Sequence, residues 1–134
     1  MGHNSIPVNP VKFTPLLLNL SNHPAANWSP EQRTMAILLF GGIEDIPFPA
    51  VDPGAEPLEV AQLAGEYFKK IVERPDKMQC TVHLMGEMTF CYKLIARLKK
   101  AGIAVVASTT ERTVTEETPG KKIVQFQFVR FRDY

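Results

Sequence analysis

At 134 residues the chain suits one domain around one core, and its 45% hydrophobic content excludes a disordered protein. A net charge of +1 gives no general attraction to duplex nucleic acid or to an anionic membrane, so an anionic ligand must be held locally. Two cysteines, Cys80 and Cys91, make neither a disulfide framework nor a zinc pattern; with no window approaching the ~18 apolar residues of a membrane span and no apolar leader, the expectation is a cytoplasmic protein with reduced core thiols.

Residues 1–12 are polar and carry Pro7 and Pro10, the composition of a flexible arm ahead of a single domain at 13–134. Thr14–Leu20 is a short apolar run, the pattern of a strand buried on both faces, with Pro15 near its start. Ser21-Asn22-His23-Pro24 is polar and breaks it. Ser29-Pro30-Glu31-Gln32 is a helix start: Ser29 caps, Pro30 fits the first helical position, and Gln32 completes a capping box. Met35, Ala36, Leu39 and Phe40 then form an apolar face, and Gly41-Gly42 ends the helix. A short strand, Ile43–Ile46, is stopped by Pro47-Phe48-Pro49. Its acidic pair Glu44-Asp45 reads as solvated.

A second helix is predicted from about Pro57 to Glu73, with Val60, Ala61, Ala64, Phe68, Ile71 and Val72 on one side. The most informative stretch follows. Strand residues Thr81–Leu84 run into the turn Met85-Gly86-Glu87-Met88-Thr89. A helical pattern covers Phe90–Ala101, Gly102 stops it, and Ile103–Ala107 is again an apolar strand. Strand, tight turn, helix, strand is a parallel crossover. Phe90, Cys91, Leu94, Ile95 and Leu98 make the buried stripe of its helix, and Lys99 and Lys100 favour its carboxyl end. Ser108–Arg112 is predicted as a polar loop. Thr113–Glu117 and the alternating Ile123–Phe131 are predicted to form a hairpin around Pro119-Gly120.

The expected fold is α/β: a Rossmann-like parallel sheet of about four strands, order 2-1-3-4, with an antiparallel hairpin strand at its edge. The topological switch point then falls between the first and third strands. Three loops are expected to meet there. One presents Asn19, Ser21, Asn22 and His23; the second Gly86, Glu87, Met88 and Thr89; the third Ser108, Thr109, Thr110, Glu111 and Arg112. Hydroxyls, amides and helix-start N–H groups suit phosphate and ribose oxygens. Arg112 can hold a phosphate bidentately. His23, as the histidine of these loops, is the candidate for proton transfer, with Arg112 stabilising charge. Trp28, Phe48 and Phe90 are candidates for stacking on a base. Each residue also has a plain reading: turn hydrogen bonds for Ser21 and Asn22, a strand end for Thr109 and Thr110, an ion pair for Arg112 with Glu87 or Glu111, a hydrophobic staple for Trp28, and a structural role for His83.

No Walker loop, G-x-G-x-x-G, nucleophile elbow, C-x-x-C, H-E-x-x-H or metal-spaced cluster occurs, so neither a cofactor nor a metal is expected.

The block His83-Leu84-Met85-Gly86-Glu87-Met88-Thr89, the helix through Arg97-Leu98, the segment Val106–Arg112 and the opening Leu18–Pro24 with Ser29–Gln32 resemble small CRISPR-associated ancillary proteins of antiviral defence that carry a CARF-like Rossmannoid domain. The resemblance spans most of residues 14–134. It implies a two-fold homodimer that binds a cyclic oligoadenylate, most simply cyclic tetra-adenylate, across the dimer. Ser21, Asn22 and His23 match the loop after the first strand, and Gly86, Glu87 and Thr89 the loop that contacts phosphates. It also implies possible metal-independent ring cleavage with the ligand's 2′-OH as nucleophile. No appended effector domain is expected, which leaves a sponge, a sensor or a ring nuclease. The residues alone leave two alternatives: a non-catalytic α/β interaction module, or an enzyme acting on another small nucleotide or sugar phosphate.

Overall fold

A computed structural model describes residues Phe13–Tyr134, so the expected arm at 1–12 lies outside the described residues. Five strands form one sheet: β1 (Leu16–Ser21), β2 (Gly42–Asp45), β3 (Cys80–Met85), β4 (Ala104–Thr118) and β5 (Lys121–Asp133). Three helices connect them: α1 (Pro30–Phe40), α2 (Pro57–Val72) and α3 (Met88–Lys100). The strand order is β2-β1-β3-β4-β5. The first four strands are parallel, and β5 pairs antiparallel to β4 at the edge. The expected order 2-1-3-4 therefore holds, and the switch point lies between β1 and β3.

The two faces of the sheet are filled differently. Alternate residues of the central strands, Leu18, Leu20, Val82, Leu84 and Val105, pack under α2 and α3 through Val60, Ala64, Ile71, Phe90, Leu94 and Leu98. Each large apolar side chain buried there contributes about 1.5–3 kcal/mol. Tyr67 and Phe48 set their rings edge-on to Phe90, at 5.5 and 5.2 Å between centroids. Phe90 is thus a core residue and has no face to offer a base. Cys80 and Cys91 are buried free thiols on this side, held in the protonated form because burial raises both.

Among the described residues, the opposite face carries only α1 and a short 3-10 turn at Ala25–Asn27. Its apolar cluster is small: Leu17, Trp28, Ala36, Val106 and Phe131. Ser29 caps α1 by accepting from the Gln32 N–H at 3.2 Å, but the Gln32 side chain makes no return bond to the cap, so the capping box is absent. The predicted apolar face of α1 is only half right. Ala36 is buried and Phe40 packs on Phe131, while Met35, Ile37, Leu38 and Leu39 remain exposed. This helix is apolar nearly all round, and one sheet face accommodates only one side of it.

The largest departure from expectation is at the carboxyl terminus. Ser108–Arg112 is no loop. β4 runs unbroken through Thr118 and pairs with β5 from Val106 onward, with irregularities between Thr109 and Thr110 and between Glu116 and Thr118. Threonine runs and alternating polar residues satisfy a two-stranded ribbon as readily as a loop, and the pairing partner is distant in sequence. The ribbon turns at Pro119-Gly120, where Gly120 takes φ +88°, and much of it extends beyond the parallel strands.

Candidate functional site

Along the less-covered face, an open cleft of about 820 Å³ lies at the carboxyl ends of β1 and β3. Ser21, Asn22 and His23 bound it on one side, Met85 and Gly86 on another. Ser108 and Thr110 of β4 and Phe126, Gln127 and Phe128 of β5 close a third. Asn27, Trp28 and Ser29 ahead of α1, Glu31 and Gln32 in its first turn, and His83 of β3 complete the described lining. Amides, hydroxyls and aromatic edges dominate, and among the described residues Glu31 is the only Asp, Glu, Lys or Arg in the lining.

A continuous polar chain floors this cleft. The Asn19 amide Nδ2 donates to Asp45 Oδ1 and to the His23 carbonyl, both at 2.9 Å. Its carbonyl Oδ1 therefore faces inward, 2.8 Å from His83 Nδ1 and 2.7 Å from Ser21 Oγ. The other imidazole nitrogen, Nε2, sits 3.0 Å from Ser108 Oγ. Asn19 and His83 are almost wholly buried. Trp28 and Phe131 flank the imidazole edge-on, at 5.2 and 5.7 Å between centroids. Burial, with a smaller electrostatic contribution from neighbouring His23, pulls His83 down to about 4, so the His83 ring is neutral near pH 7. Asp45 is exposed, as expected, and it also anchors Asn19 and accepts from the Ala25 N–H at 3.1 Å. Glu44 is likewise engaged, by Arg74 at 2.8 Å.

The predicted site residues divide. Ser21, Asn22, His23, Gly86, Ser108 and Thr110 line the cleft, and Asn19 lies directly beneath it. Met88 and Thr89 line a separate groove beside α2, with Val60 and Tyr92. Glu87, Thr109 and Arg112 do not line the cleft. Arg112 forms no ion pair among the described residues; it lies opposite Phe126 across the ribbon and so shares its face.

Two inferences about the glycine turn are corrected. The first-turn N–H groups of α3 do not await a phosphate, because Glu87 caps them. Its carboxylate accepts from Thr89 N at 3.0 Å and Phe90 N at 2.8 Å, and these bonds hold Glu87 below the usual carboxylate range. Gly86 is small for another reason: a Cβ there would collide with the Phe48 ring. It makes room for a core aromatic, while its backbone borders the cleft. Trp28 is not a staple; it is buried and donates from Nε1 to the His23 carbonyl at 3.0 Å.

Sequence reasoning set His83 aside as structural and missed its neighbours across the sheet. The available signal was a histidine in an otherwise apolar strand, preceding Met85 and two alternations from the edge. Its partners Asn19 and Ser108 lie 64 and 25 residues away, which no local pattern reveals.

Residues 15–132 match the model of a family described as the Uncharacterized protein MJ1673 family. The chain belongs to the MJ1673 family. No curated protein and no solved structure matches it. The segment shared with the MJ1673 family contains every residue that lines the cleft. Among the described residues, no helix is long and apolar enough to cross a membrane, and no cluster of His, Cys, Asp or Glu is arranged to hold a metal ion.

Proposed function

We propose that this member of the MJ1673 family is a Rossmann-like, CARF-like domain that binds a cyclic oligoadenylate, with cyclic tetra-adenylate the first candidate, across a cytoplasmic homodimer. The observation that carries the reading is the cleft at the β1/β3 switch point, where α/β sheets take their ligands. Its lining suits nucleosides: Trp28, Phe126 and Phe128 offer aromatic edges and faces, and Asn22, Asn27, Gln32 and Gln127 offer amides. One cleft is of a size for a nucleotide rather than for a ring of four, so a ring would span two protomers. Exposed Ile37, Leu38 and Leu39 on α1, together with Val114, Val124 and Phe126 on the ribbon, supply apolar surface for a second copy. Phosphate charge would be met at the rim, where Arg112 stands opposite Phe126. If the ring is cut, His23 at the cleft wall is the candidate for proton transfer.

Thermal shift against cyclic tri-, tetra- and hexa-adenylate beside AMP, ATP and NAD tests this. A saturating cyclic ligand at about 100 times its Kd adds about 2.7 kcal/mol, a rise on the order of 10 °C. Shifts with linear nucleotides alone would point to an enzyme of small nucleotides, and no shift at all to an interaction module. Light scattering that finds only monomer at micromolar concentration, with the ring present, would sink the shared-ligand geometry. Incubation with cyclic tetra-adenylate in EDTA, followed by chromatography, separates a ring nuclease from a sponge. In a nuclease, His23→Ala is expected to slow cleavage by about 10²-fold or more while sparing binding.

A further inference from the structure

The polarity of the chain beneath the cleft follows from its fixed end. Asp45 carboxylate and the His23 carbonyl can only accept, so the group between them must be the Asn19 NH₂. Asn19 Oδ1 then faces His83 Nδ1 at 2.8 Å, and a carbonyl cannot donate, so Nδ1 carries the imidazole proton. The ring is neutral, which leaves Nε2 bare. Ser108 Oγ, 3.0 Å away, donates its single proton there. The Met85 sulfur is also near that hydroxyl, at 3.1 Å, but a thioether is a far weaker acceptor than an imidazole nitrogen. With its proton committed inward, Ser108 presents only lone pairs to the cleft.

We propose that the Asp45–Asn19–His83–Ser108 chain makes Ser108 a permanent hydrogen-bond acceptor in the cleft, so that the site selects a ligand group that donates, an amine or a hydroxyl. This deepens the cyclic oligoadenylate reading and rests on it for the identity of the ligand. In that ligand the donor is either the adenine 6-amino group or a ribose 2′-OH. The chain's length explains why one serine needs so much buried machinery: a free surface hydroxyl rotates and takes either kind of partner, whereas this one is locked. Asn19 and His83, the two middle links of the chain, are almost wholly buried, so their partners are fixed by the protein.

The test has two parts. Long-range ¹H–¹⁵N correlation on the unliganded protein reads the His83 tautomer without any ligand. A proton on Nδ1 is expected, and a proton on Nε2 would overturn the proposal outright. The second part compares cyclic tetra-adenylate with cyclic tetra-inosinate, which replaces the 6-amino group by a carbonyl, and with the cyclic tetra-deoxyadenylate ring, which lacks 2′-OH. Loss of one neutral hydrogen bond corresponds to about five- to tenfold in Kd per site. One of the two analogues is expected to bind at least that much more weakly, and Ser108→Ala is expected to erase the difference. Weakening by inosinate assigns the amine, and weakening by deoxyadenylate the hydroxyl. Equal binding of all three rings, or unchanged discrimination in Ser108→Ala, would defeat the proposal while leaving the ring reading intact. If no ring binds, the cyclic oligoadenylate reading fails, and the same comparison by NMR titration with adenosine, inosine and 2′-deoxyadenosine decides the donor selection.

Discussion

The two faces of the sheet solve opposite problems with the same strands. Under α2 and α3, alternate residues of β1, β3 and β4 meet leucine, isoleucine and phenylalanine, and the space is dry and filled. On the other face the intervening residues of the same strands include Asn19, Ser21, His83 and Ser108 beside the apolar Leu17 and Val106, and a single helix covers only part of them. The first face supplies stability. The second buries polar groups that contribute little net stability but must all be partnered, and among the described residues every buried side-chain polar atom is. A histidine buried among polar partners and pulled down to about 4 is the kind of perturbed group that marks functional sites, so the polar face is where function is to be sought.

That contrast is breakable, and the largest effect is expected on the dry face. Phe90→Ala removes a fully buried ring contacted by Phe48 and Tyr67. It is expected to cost about 3–5 kcal/mol by urea denaturation. A loss under 1 kcal/mol would mean that this face is not the stabilising one.

The polar face should show itself in pH dependence. His83 lies well below its unfolded value near 6.5, so between about 4 and 6.5 the unfolded chain binds the extra proton. Stability contributed by the neutral ring is complete above pH 6.5 and declines as the pH falls toward 4, by about 3 kcal/mol at most. His83→Gln is expected to flatten that slope. Denaturation curves at pH 7 and pH 4.5 for both proteins check it, and an unchanged slope would show that other groups govern acid sensitivity.

A smaller effect sharpens the comparison. Ser108→Ala leaves His83 Nε2, an acceptor at the cleft edge, without its donor, and is expected to cost about 1 kcal/mol. Smaller still is Phe126→Ser on the exposed ribbon. It is expected to change the stability of the monomer by no more than about 0.5 kcal/mol, while weakening self-association measured by analytical ultracentrifugation. A large loss of monomer stability would instead place Phe126 in the fold.

Much of the architecture was legible because it rests on local periodicity. The capping serine before Pro30, the apolar stripe of α3 and the single-run strands β1 and β3 are written in spacings of two, three and four residues. The order 2-1-3-4 followed from the handedness of crossovers, and with it the position of the cleft and six of its lining residues. The ribbon was not legible. Ser108–Arg112 has the composition of a loop, and only pairing with Phe126–Phe131 makes it strand. Gly86 likewise carried no mark of Phe48, which arrives from 38 positions earlier to occupy the space a side chain would take.

By itself, then, the sequence determined most of the elements, their order in the sheet and the end at which the cleft opens, since propensity, capping and crossover handedness act within a few turns of chain. Tertiary structure decided what those residues do. Asn19, His83 and Ser108 belong to three different strands, and no pattern within any of them predicts the others. Adjacent strands in register bring them to hydrogen-bond distance, and the direction of each bond is set by an aspartate on a fourth strand. Hydrogen-bond polarity is a property of the assembled network, and so it exists only once the fold has closed around it.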